Sequence, residues 1–129
     1  MPFVPGGEAY DLPSVDLDEI AGRMGDPPWR VMLVGTGGLR VVLLHWPAGF
    51  VTVPHVHPGA EETFLVLAGR AAFRIGDDPE IEAGPGTFLF SPRGVLHAIR
   101  VLDGGPLTLL ASVAPNEERL DETIERPDA

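Results

Sequence analysis

The sequence contains no cysteine. That absence excludes disulfides, thiolate metal ligands and a cysteine nucleophile, and it leaves the compartment undetermined. Positive charge is also scarce: 9 Lys and Arg stand against 19 Asp and Glu, a net charge of −10. A duplex phosphate backbone repels such a surface, and so does an anionic membrane, so neither nucleic acid nor membrane is expected as a partner. No apolar stretch approaches the roughly 20 residues of a membrane span. The stretch Met1–Glu8 lacks the basic and apolar regions of a secretory signal. The expectation is a cytoplasmic protein whose partner is a small-molecule ligand or substrate.

Glycine and proline are abundant, 16 and 14 of 129 residues. They lie between apolar runs of four to eight residues, which is the punctuation of many short strands. Hydrophobic residues make up 44%, enough for one packed core in one domain. Residues 1–28 read as an arm and a short helix, with Ser14 as its cap, Met24 near its end and Asp26-Pro27-Pro28 as its stop. Residues 29–115 read as strands. Thr36-Gly37-Gly38 and Gly69-Arg70 are hairpin turns, and Gly76-Asp77-Asp78-Pro79 is a third turn. Residues 116–129 form an acidic tail. Eight or more short strands predict an all-β sandwich or barrel.

Three of the four histidines fall in two compact segments. Residues two apart on a strand share a face, so His55 and His57 converge on one point. Glu62 opens an apolar strand, where a lone carboxylate is costly unless paired or ligated. His97 follows the turn Pro92-Arg93-Gly94. Neutral imidazoles with one carboxylate suit Fe(II), Mn, Ni, Zn or Cu(II). On an octahedral ion, four such ligands leave two positions for water, substrate or dioxygen.

These segments resemble the two motifs of the cupin superfamily. Gly49, His55, His57, Glu62 and Gly69 match the first motif in every spacing, and Gly86, Pro92, Gly94 and His97 match the second. The terminal Asn of the second motif is replaced by Val101. The resemblance implies a double-stranded β-helix, or jelly-roll, barrel. It implies one divalent metal ion per chain on His55, His57, Glu62 and His97, and a homodimer. The six residues from Glu62 to Gly69 favour Glu62 over its neighbour Glu61 as the carboxylate ligand.

The function placed first is a mononuclear non-haem metal oxygenase acting on a small organic substrate. The alternatives are a redox-neutral isomerase, cyclase or lyase with the metal as Lewis acid, and a non-catalytic binder of small molecules. The redox-neutral reading needs an acid or base, for which His45, Tyr10 and Glu61 are the candidates. A hydrogen-bonded core or interface role is the default for His45. Arg40, Arg74 and Arg100 are the cations that a carboxylate in the pocket would meet, although surface and ion-pair roles are the default for arginine.

Overall fold

The computed structural model describes residues 13–116. Tyr10, with most of the N-terminal arm, and the acidic tail beyond Asn116 lie outside the described residues.

Helix α1 spans Leu17–Met24. Its cap is Asp16, not Ser14: the Asp16 carboxylate accepts from the amides of Asp18 and Glu19 at 3.0 and 3.2 Å. Asp16 has extended backbone, and its carbonyl accepts the first helical bond from Ile20. A cap is defined by the first residue whose side chain reaches the free amides of the opening turn, and Ser14 stands two positions too early. Asp18 and Glu19 face the positive end of the helix.

Eight strands follow: β1 Trp29–Gly35, β2 Arg40–Trp46, β3 Glu61–Ala68, β4 Ala71–Ile75, β5 Ile81–Ala83, β6 Phe88–Ser91, β7 His97–Val101 and β8 Leu107–Ala114. They form a five-stranded sheet in the order β1-β2-β8-β3-β6 and a three-stranded sheet in the order β5-β4-β7. Every pairing is antiparallel. Strand β5 was not singled out by the sequence pattern, because three residues are too few to show a period.

Alternation sorts each strand into two faces. Val42, Leu44 and Trp46 of β2, Phe64 and Val66 of β3, and Leu107, Leu109 and Ala111 of β8 fill the space between the sheets. Phe73, Ile99 and Val101 meet them from the three-stranded sheet. The outer face of β1 and β2 is covered by α1, where Ile20 packs with Val31, Leu33 and Leu43. The crossing from β3 to β4 needs Gly69. Its φ is +81°, and a Cβ there would stand 2.3 Å from the carbonyl oxygen of Pro106.

The segment between β2 and β3 carries Pro47, Pro54 and Pro58, which have no amide to donate. It therefore runs beside β7 as an irregular extension rather than a regular strand. The amides of Gly49, Thr52 and His55 donate to the carbonyls of Val101, Ile99 and His97.

Candidate metal centre

Three local structures aim four side chains at one point. The irregular segment delivers His55 and His57, the first turn of β3 delivers Glu62, and the start of β7 delivers His97. His55 and His97 exchange both backbone hydrogen bonds, at 3.1 and 2.9 Å, which locks the first histidine segment to the second. The Gly94 amide donates to the His57 carbonyl at 2.9 Å and ties the same two segments again.

The four ligand atoms lie within 4.8 Å of one another. That is close to the roughly 4.2 Å separating opposed donors at about 2.1 Å from an ion. His57, Glu62 and His97 are each 2% exposed. Glu62 Oε1 stands 2.8 Å from His57 Nε2 and 3.0 Å from His97 Nε2. Glu62 Oε1, His55 Nε2 and His97 Nε2 are all buried at this point, where His57 and His97 face the carboxylate.

The other ring nitrogens explain the orientation. His55 Nδ1 lies 3.2 Å from the Val53 carbonyl. A carbonyl only accepts, so Nδ1 carries the proton and Nε2 presents a lone pair to the centre. His97 Nδ1 lies 3.1 Å from the hydroxyl of Ser91, which is itself buried. Buried lone pairs converging beside a carboxylate repel one another unless a cation sits among them. The donor set thus fits a divalent ion of the type that accepts imidazole and carboxylate.

Burial pushes the Glu62 carboxyl up, but His57 and His97 beside it more than offset this and hold it at about 2. Burial is also the main cause that lowers His55, to about 4, and the neighbouring His97 adds to it. Both groups are therefore in their metal-binding protonation state at neutral pH.

Of the acid–base candidates, His45 and Glu61 are not brought to this cluster. His45 shares strand parity with Val41 and Leu43, which face α1, so its ring lies on the outside of the sheet. It packs against Trp29 with ring centroids 4.9 Å apart, and its Nδ1 lies 3.0 Å from the Thr108 hydroxyl. This corrects the candidate role of His45 at the cavity. Glu61 is exposed on the face of β3 opposite Glu62, and Tyr10 lies outside the described residues. Ser91 was missed by the sequence reading. Its signal is parity: it shares a face with buried Leu89, directly before the turn that leads to His97.

The cupin-domain family model, Cupin_2, matches residues 42–113, more than half of the chain and all four clustered residues. The chain is a cupin. Within the matched region, this cupin resembles dimethylsulfoniopropionate lyase DddQ of Ruegeria pomeroyi, with 39% identity over 77 residues. That match covers 55% of this chain and 38% of DddQ, so the chain spans about two-fifths of that relative's length. The DddQ crystal structure superposes with a TM-score of 0.61 at 28% identity, covering 78% of this cupin and 53% of DddQ. A protein from Bacillus halodurans superposes with a TM-score of 0.73 at 21% identity, covering 87% and 88% of the two chains, a likeness of fold alone. No helix among the described residues is long and apolar enough to cross a membrane.

Proposed function

We propose that this cupin is a metal-dependent, redox-neutral lyase acting on a small carboxylate with a leaving group on its β carbon. The observation that carries the reading is the buried His55–His57–Glu62–His97 cluster, in a region similar to that of a dimethylsulfoniopropionate lyase. The similarity supports reading the site for elimination rather than for the oxygenase chemistry expected from the ligand set alone.

The four clustered residues would hold the ion, which supplies Lewis-acid polarisation of a bound carboxylate when present. The Val53 carbonyl and the Ser91 hydroxyl hold the His55 and His97 rings in place. Phe64, whose ring centroid lies 5.5 Å from that of His97, sets a buried apolar ring against the cluster. Elimination takes a proton from the carbon beside the carboxylate, forms a carbon–carbon double bond there, and expels the β substituent with the bonding pair. The described residues around the cluster include no base dedicated to that proton. Tyr10 is the remaining candidate of the three named from the sequence.

The test is the metal-reconstituted protein incubated with dimethylsulfoniopropionate and other β-substituted propionates. Expected are release of dimethyl sulfide and acrylate, no oxygen consumption, and loss of both products in H97A. A strong decrease in Y10F would assign the base to the arm. Substrate-dependent oxygen uptake would instead favour the oxygenase. Binding without turnover across the series would leave a binding protein.

A further inference from the structure

Side-chain parity divides β6, the edge strand of the five-stranded sheet, into two faces. Leu89 and Ser91 point between the sheets and are buried, while Phe88 and Phe90 point outward and are 63% and 46% exposed. These two are the aromatic members of the large apolar side chains exposed among the described residues. Burial of phenylalanine is strongly favourable, so two of them open on one face mark a surface made for contact.

Register extends the patch across the sheet. Phe90 pairs with Thr63 and Thr63 with Ser112, while Phe88 pairs with Leu65 and Leu65 with Leu110. The same two rows run on to Val41 and Leu43 of β2, which pack in the cluster under α1. Helix α1 has eight residues, so it is roughly 12 Å long and about as wide. The five strands span about 19 Å. One short helix over β1 and β2 therefore leaves the β3–β6 half of the face open. Exposure follows that geometry: Leu43 is buried, Leu110 and Leu65 are half-buried, and Phe88 is open.

Charge decides the occupant. In a two-fold contact, residues near the axis meet their own copies, so a charged residue there would face a like charge. On a chain of net charge −10, these rows carry no charged residue at all. A basic partner would be drawn to the acidic surface elsewhere, and an anionic membrane would be repelled. Phe88 and Phe90 together leave about 200 Å² of apolar surface per copy. That is around a quarter of the ~800 Å² that each partner gives to a standard interface, which suits an apolar centre inside a polar rim. The exposed Val51 differs. It bridges to Arg100, which pairs with Glu80 at 2.8 Å, so charge stands beside it.

We infer that this cupin forms a two-fold homodimer through the outer face of β3 and β6, with Phe88 and Phe90 of each copy at the centre. The inference gives a surface to the homodimer expected from the sequence, and it does not depend on the lyase reading.

The test is sedimentation velocity on the full-length, metal-loaded protein over a range of concentrations. Wild type is expected at twice the chain mass. F88E/F90E should be monomeric with its metal content intact. V51E and I81E, altered at exposed apolar positions away from this face, should stay dimeric. Added salt should tighten the dimer by screening the repulsion between two acidic chains. A monomeric wild type, whether or not some other protein or a vesicle binds the patch, overturns the inference. So does a folded F88E/F90E that remains dimeric, or a dimer that salt dissociates. If the glutamate variant does not fold, F88C reads the contact without added charge, because the chain has no other thiol. Its alkylation should slow as protein concentration rises, and a rate independent of concentration overturns the inference.

Discussion

His45 and His97 are both strand histidines, and they stand in opposite situations. His45 lies on the outer face of the five-stranded sheet, stacked on Trp29 and bonded to Thr108. His97 lies inside, with Nδ1 against Ser91 and Nε2 left facing Glu62 and two other imidazoles. A structural histidine packs into a neutral setting. His97 instead keeps one nitrogen aimed at a buried carboxylate and two further imidazoles. The difference teaches that burial alone does not mark a site; an unsatisfied convergence does.

Breaking the inner set should have the largest effect. H97A and E62Q are expected to lower metal affinity by more than the roughly 10- to 100-fold typical of outer-shell changes. H45A should retain full metal content. Elemental analysis after dialysis checks both, and metal loss in H45A would erase the distinction drawn between the two histidines.

Acid should also separate the two regions. The folded pKa of His55 lies at about 4, below its unfolded value of 6.5. Between those values the unfolded chain takes up a proton that the folded chain refuses, so stability falls as pH drops from 6.5 to 4. The stability contributed by Glu62 is complete above 4.5 and is lost as pH falls toward about 2. His45 is also lowered, chiefly by burial, and acts in the same direction as His55. Urea midpoints in the presence of a chelator should therefore decline from pH 7 to 4.5. The decline should persist in H45A and shrink in H55A. A flat profile would contradict the assigned protonation of His55.

A smaller effect sharpens the comparison through the hydroxyl partners. S91A removes the group that orients His97 and should weaken metal binding about 10- to 100-fold. T108A removes the corresponding partner of His45 and should cost about 1 kcal/mol of stability with no change in metal affinity. Equal metal affinities in the two variants would mean that Ser91 does not orient the ligand. The smallest expected change is D16A. Loss of the α1 cap should cost about 1 kcal/mol in thermal or urea unfolding and leave the metal site unaffected.

Much of the site was legible because its signals are local. His55 and His57 are two apart, Glu62 opens an apolar run, and His97 follows a Pro-x-Gly turn, so local spacing, together with the resemblance to two cupin motifs, nominated the four. The strand pattern was legible for the same reason, since alternation and turn residues act over a few positions. The helix cap was misplaced by two residues because Ser14 and Asp16 are both good cap formers, and only backbone geometry chooses between them. Ser91 was not legible as a partner of His97. A serine is an ordinary surface residue by type, and its burial depends on strands far away in the chain.

By itself the sequence determined an all-β chain with a barrel's worth of strands, and four candidate ligands in two motifs. It also determined that no thiol takes part, because the residue type is absent. Only the tertiary structure decided which face each strand turns inward. It sent His45 to the outer face beside Trp29, and it drew Arg40, Val113, Glu62 and Ser91 into one buried row. The physical reason is register. Side chains alternate along a strand, but which strand lies beside which, and in what alignment, is set by the packing of both sheets around a shared core.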